Sequence, residues 1–211
     1  MFVTVALLKD LGFSFKSALE VGADDDFFRR CFPHTVHYWC DQNIKDESLF
    51  TRSTFQEFLS SSEMFDLIFC GHTIEHFIDQ GDKEFIDFLD KKLTEKGLAI
   101  VEPLFIQAQP LSIWHHSISN PTSFEGELVV QDATTNFPGS PDHGMGFGRI
   151  YSPYSLKQRL LSKSTNLEFE LIEIEGMSGP VPDMSRFKYS RSELNSPLRL
   201  LLAKRRSPSP Q

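Results

Sequence analysis

Residues 65–76, Phe-Asp-Leu-Ile-Phe-Cys-Gly-His-Thr-Ile-Glu-His, limit most tightly what this chain can fold into. Residues 67–70 are apolar without a break. A strand written this way is buried on both faces, as in a parallel sheet covered by helices. The run stops at Gly71, and His72, Thr73, Glu75 and His76 follow at once. In open α/β sheets, ligands sit in the crevice beyond the carboxyl ends of the strands. A dense polar cluster directly after a buried strand is therefore a candidate site. The plainer reading is a loop and a helix start with solvated side chains.

The rest of the chain alternates around this stretch. Residues 2–11 form either a short helix closed by Gly12 or a strand. Residues 17–22 are a compact apolar strand ending in glycine, followed by Ala23 and the acids Asp24, Asp25 and Asp26. Residues 27–32 suit a short helix with an acidic first turn, stopped by Pro33. A second strand covers 36–40, with Asp41 at its end. Phe55, Phe58 and Leu59 recur at helical spacing. Residues 83–93 place Phe85, Ile86, Leu89 and Leu93 on one face, an amphipathic helix. Gly97 ends the turn after it, and 98–101 is again a buried strand with Glu102 and Pro103 beyond. Strand and helix in alternation predict a parallel sheet with right-handed crossovers.

That rhythm breaks over 103–148. This insertion shows no strong period and holds Trp114, His115, His116, His143 and a glycine-rich run at 144–148. A long irregular stretch inside a compact domain reads as a lid or binding region. Order resumes at Ser152-Pro153, a helix start with Leu156, Leu160 and Leu161 on its buried face. Leu167, Phe169 and Leu171 alternate with Glu168 and Glu170 as a half-buried strand, and 199–204 is a final strand. The expected organisation is one domain over 1–204 with a disordered Ser/Pro-rich tail at 205–211.

Bulk properties narrow the function. A chain of 211 residues suits one domain, and its 20 Phe imply a phenylalanine-rich core or pocket. The net charge of −8 argues against a nucleic-acid partner, which normally meets a basic face. Cys31, Cys40 and Cys70 have no Cys-x-x-Cys spacing, so no zinc site or disulfide framework is expected and a reducing, cytoplasmic setting fits. No apolar run reaches the ~20 residues of a membrane span, so no membrane partner is expected. Lys9 and Asp10 cut short the apolar start, which argues against a signal peptide.

The order of these elements resembles a class I S-adenosylmethionine-dependent methyltransferase of the small-molecule, type 11 kind. Residues 19–23, Leu-Glu-Val-Gly-Ala, resemble that family's first motif. Residues 65–76 resemble its fourth, and 93–102 resemble the glycine and strand before its fifth strand. Residues 151–161 with 167–175 resemble its late helix and sixth strand. The resemblance implies a Rossmann-like methyltransferase fold: a mostly parallel seven-stranded sheet with helices on both faces, the last strand antiparallel. It implies S-adenosyl-L-methionine as cofactor. Glu20 and Gly22 would border its methionine part, and Ala23 would lie in the turn beneath. Asp41 would accept hydrogen bonds from the ribose, and Gly71 and His72 would lie near the sulfonium. Glu75 and His76 would be mainly structural. The chain departs from the family's Gly-x-Gly-x-Gly pattern, with Asp24 and Asp26 in the later glycine positions. Either these acids turn away as helix caps, or their charge weakens the hold on the cofactor's carboxylate.

Methyl transfer is an in-line displacement, so positioning supplies much of the rate, and a base helps a hydroxyl acceptor. His143, His115 and His116 are the candidate catalytic groups because the insertion is placed to meet an acceptor. No metal site is expected from these histidines. The expected function is methyl transfer to a small-molecule or glycan-type acceptor. The alternative is a catalytically inactive relative acting as a binding or scaffold partner, supported by Asp24 and Asp26. A dehydrogenase is disfavoured because Gly-x-Gly-x-x-Gly is absent after the first strand. Oligomeric state has no signature in the sequence.

Overall fold

The structure, a computed structural model, describes residues 2–22, 27–40, 54–115, 127–132, 147–174 and 198–206. Ala23, Asp24, Asp26, Asp41, His116 and His143 lie outside the described residues.

The unbroken apolar runs at 67–70 and 98–101 become the buried centres of two strands of the main sheet. In chain order its elements begin with α1 (Phe2–Asp10), β1 (Ser17–Val21), α2 (Phe27–Cys31) and β2 (Val36–Cys40). A 3₁₀ turn (Phe55–Ser60) precedes β3 (Phe65–Gly71). A second 3₁₀ turn (Ile74–His76), α3 (Gly81–Lys92) and β4 (Leu93–Glu102) follow. Three short strands come next: β5 (Leu111–His115), β6 (Leu128–Asp132) and β7 (Phe147–Ile150). The chain then forms α4 (Pro153–Leu156), a π-helical turn (Lys157–Leu161), β8 (Leu167–Ile174) and β9 (Leu198–Arg205).

The main sheet has the order β2-β1-β3-β4-β9-β8. β2, β1, β3 and β4 pair in parallel, while β9 runs antiparallel to both β4 and β8. The expected mostly parallel sheet and its antiparallel strand are therefore present. Seven strands were expected, and six are described; the connection from β2 to β3 includes residues 41–53, outside the described set.

β3 shows why its sequence has no alternation. Its even and odd residues both meet helices. Ile68 and Cys70 join Phe85, Ile86 and Leu89 of α3 and Leu156 and Leu160 in one core. Leu67 and Phe69 join Val5 and Leu8 of α1 and Phe28 of α2 in the other. Much of the phenylalanine is core: Phe28 stacks on Phe69 at 5.3 Å, and Phe55 lies 5.3 Å from both Phe85 and Phe88. Asp66 serves the amino end of the sheet. Its carboxylate accepts from the backbone N–H of Lys16 at 2.9 Å and from the Thr94 hydroxyl at 2.9 Å.

Three expectations need correction. The helix before β4 does not end in a turn at Gly97; the strand begins at Leu93, which pairs with Phe65, and the register then jumps to Leu67 against Leu98. Gly97 is needed there for close approach, since a Cβ would stand 2.9 Å from the Phe65 carbonyl oxygen. The 103–148 insertion contains regular structure: β6-β5-β7 form a separate three-stranded sheet. Strands of four or five residues, paired across long loops, leave too few repeats for a period to show. The tail does not begin at 205. Arg205 closes β9 and its guanidinium Nε donates to the Leu93 carbonyl at 2.9 Å.

Candidate functional site

The parallel strands end together, and side chains and backbone lock their tips. The Gly22 N–H donates to the Cys40 carbonyl at 2.9 Å, joining the ends of β1 and β2. The His72 N–H donates to the Glu102 carbonyl at 2.8 Å, joining β3 and β4. Between them the Thr73 hydroxyl donates to the Gly71 carbonyl at 2.7 Å and lies 3.4 Å from that of Val21. This fixed rim is the carboxyl-end crevice that the parallel topology predicts.

Gly22 is required by its surroundings. Its φ is +84°, and a Cβ built there would stand 1.6 Å from Thr73 Oγ1 and 2.8 Å from the Gly71 oxygen. Gly22→Ala therefore adds left-handed strain to a backbone clash. We expect a loss of at least ~2 kcal/mol in urea denaturation; a loss below about 0.5 kcal/mol contradicts the packing described.

Glu20 points to the α1–α2 face of β1 and is buried. Gly71 and His72 stand at the tip of β3, where the sequence placed them, and the His72 side chain is 66% exposed. Gly22, Gly71 and His72 are thus brought together. His115 is the last residue of β5 in the second sheet. Nothing described joins it to the crevice.

Glu75 is more than an ordinary surface acid on a helix start. It is buried, and burial pushes its carboxyl up to about 8 against an opposing bond from its own backbone. Its Oε1 lies 3.9 Å from His72 Nδ1 and 3.9 Å from His76 Nε2. The turn that carries it is a single 3₁₀ turn and not the start of a longer helix.

A buried ionic network lies just beyond, and sequence reading missed it. Asp82, at the start of α3, meets Arg159 through Nε at 2.7 Å and through a second, shorter contact from Nη2. The Tyr151 hydroxyl donates to Asp82 at 2.9 Å. Burial, with the Asp82 charge beside it, pushes the Tyr151 phenol up. Arg149 of β7 faces Asp82 at 3.5 Å and Glu127 at 3.2 Å, and donates to the Phe77 carbonyl at 3.0 Å. Arg159 also donates to the Asp79 carbonyl at 2.7 Å. Two acids thus face two guanidiniums, and the network ties the second sheet to the 77–82 segment beside the crevice. A signal was available: Asp82 falls on the Phe85, Ile86, Leu89 face of its helix, and Arg159 falls between Leu156 and Leu160. Among the described residues no cluster of three metal-ligating side chains occurs.

No protein-family model matches the sequence, and no curated protein matches it. Solved structures do match. One is the N-methyltransferase NodS from Bradyrhizobium japonicum in complex with S-adenosyl-L-homocysteine, at 16% identity and TM-score 0.52. That match covers 98% of this chain and 85% of that one. The chain has the Rossmann-like methyltransferase fold. The Burkholderia thailandensis 1,6-didemethyltoxoflavin-N1-methyltransferase, solved with 1,6-didemethyltoxoflavin and S-adenosylhomocysteine, matches at 11% identity and TM-score 0.56, over 97% of this chain and 77% of that one. The plantazolicin methyltransferase BpumL, in complex with S-adenosylhomocysteine, matches at 14% identity and TM-score 0.54, over 97% and 81%. With this methyltransferase fold, β9 takes the place of the antiparallel strand expected from the sequence.

Proposed function

We propose that this protein binds S-adenosyl-L-methionine at the carboxyl ends of β1 and β3 and transfers its methyl group to a small-molecule acceptor. The observation that carries this reading is the locked rim of Gly22, Gly71, His72 and Thr73 at that crevice, on a fold whose solved examples above hold S-adenosylhomocysteine. Gly22 holds a left-handed turn whose missing side chain lets Thr73 and Gly71 pack against it, which keeps the tips of β1 and β3 together at the crevice. Glu20 and Gly22 would border the methionine part, with Ala23 in the turn. Asp41 would hold the ribose, since one carboxylate accepts from both hydroxyls. Gly71 and His72 would stand beside the sulfonium, which supplies the activated methyl group. The insertion, with His115, His116 and His143, would select the acceptor. A net charge of −8 favours a small molecule over a nucleic acid.

Calorimetric titration with S-adenosylmethionine and S-adenosylhomocysteine tests this. Heat with both is expected below millimolar ligand, that is, more than about 4 kcal/mol of binding free energy. Silence with both at millimolar ligand contradicts the reading and leaves a non-catalytic protein on this fold. Asp41→Ala weakens binding by about tenfold or more; unchanged affinity removes its ribose role. The double variant Asp24→Gly, Asp26→Gly binds more tightly if those carboxylates repel the cofactor, and equally if they cap the helix.

A further inference from the structure

The end of α1 leaves one leucine without a role in the fold. The Phe13 N–H donates to the Leu8 carbonyl at 3.0 Å, and the Gly12 N–H donates to that of Lys9 at 3.0 Å. Gly12 has φ +59°. These two bonds close a helix on a left-handed glycine, and the apolar residue after the glycine packs back on the last turn. The closure asks nothing of position 11. Leu11 stands there 57% exposed, on a turn whose backbone is fixed.

A groove lies beside it. Phe13, Ser14 and Phe15 of the α1–β1 connection and residues 31–35 of the α2–β2 connection line an open hollow of about 280 Å³. Its walls are held together. The Thr35 hydroxyl donates to the Phe15 carbonyl at 3.3 Å, and the rings of Phe15 and Phe32 lie 4.9 Å apart. The apolar surface continues through Val36, 58% exposed, and Met64, 42% exposed. Val36 pairs with Ser17, whose hydroxyl donates to the Met64 carbonyl at 3.2 Å. All of this sits at the amino ends of β1, β2 and β3, the end opposite the crevice. Exposed apolar surface that is contiguous marks a contact.

We infer that a second copy of this chain docks on this end, each Leu11 entering the groove of the other. Knob and hollow lie on one surface, so a two-fold axis satisfies both at once and closes the assembly at two. The charges fit the same symmetry. Two copies that each carry −8 repel over most approaches. At this end Lys9, Lys16 and Arg30 outnumber Asp10 and Glu63. A two-fold lays cations of one copy against acids of the other, around an apolar centre. Both crevices stay open at the far ends of the pair. The inference stands apart from the methyl-transfer reading, since no residue of the crevice takes part.

Sedimentation velocity of the full chain tests it. A monomer–dimer equilibrium is expected with a dissociation constant on the order of 10–100 µM, the weak class that a small patch supports. Leu11→Asp raises that constant at least about tenfold. Its side chain is mostly in solvent, so circular dichroism and urea midpoint stay as they were. A single monomeric species up to about 500 µM overturns the proposal, including the case in which the groove takes up an apolar dye or another protein. An unchanged constant in Leu11→Asp overturns it too. The seat of Leu11 is read by cross-linking, because Cys31 is the half-buried thiol at the groove while Cys40 and Cys70 are buried. A chain carrying Leu11→Cys and Cys31→Ser is mixed with the unmodified chain and mildly oxidised. Peptide mapping should find position 11 of one chain bonded to Cys31 of the other. Absence of that link overturns the knob-in-groove arrangement.

Discussion

Glu75→Gln stabilises the protein by roughly 4 kcal/mol at pH 8 and by little at pH 5. The cause is desolvation of a carboxyl that the fold keeps protonated. Its folded value of about 8 stands above the ordinary 4.5. A group raised on folding binds its proton more tightly in the folded state. Its stabilisation is complete below pH 4.5 and is lost as pH rises through 8. Over that window the unfolded chain ionises while the folded one cannot, so stability falls by about 1.4 kcal/mol per pH unit. His72 and His76 each lie 3.9 Å from the carboxyl, and a positive charge on either would attract the carboxylate. Glutamine keeps the shape and has no charge to desolvate. Urea denaturation of both proteins at pH 5.5 and pH 8.5 decides the matter. Parallel stability changes in the two would mean that Glu75 is solvated.

Asp82→Ala costs the fold about 3–5 kcal/mol. Asp82 is fully buried, and Arg159, Arg149 and Tyr151 all direct polar hydrogens at it. Removing the acid leaves two guanidiniums inside the protein with one acid, Glu127, near Arg149. The cost is mostly that of uncompensated buried charge and not of the lost attraction. Adding Arg159→Met to Asp82→Ala should therefore recover part of the loss. A loss below about 1 kcal/mol in the single variant would show that water enters the site. The consequence reaches the crevice, because Arg149 and Arg159 also hold the carbonyls of Phe77 and Asp79 on the segment that follows His76.

What the sequence revealed follows the range of the interactions. β3 was legible because burial on both faces writes itself into consecutive residues. Its glycine tip and the positions of Gly22 and His72 followed from the βα rhythm, since parallel strands end on one side. α3 was legible through its period, and its buried Asp82 was a readable exception on that face. The β5–β7 sheet was not, because each strand is four or five residues long and its pairing joins residues up to 39 apart, as Leu111 with Ile150. The network was hidden for the same reason: Asp82 meets partners 67 to 77 positions away. Glu75 was read as structural because its burial depends on packing of the sheet and not on its neighbours in sequence.

The central claim is the location of the cofactor, and amide chemical-shift mapping tests it most directly. Addition of S-adenosylhomocysteine should move the amides of Gly22, Gly71 and His72 at the carboxyl ends of β1 and β3. Those of Ser17 and Val36, at the amino ends of β1 and β2, should stay fixed. Shifts confined to the groove of Phe13, Phe15, Phe32 and Pro33 near those amino ends, or no shifts at all, would contradict it.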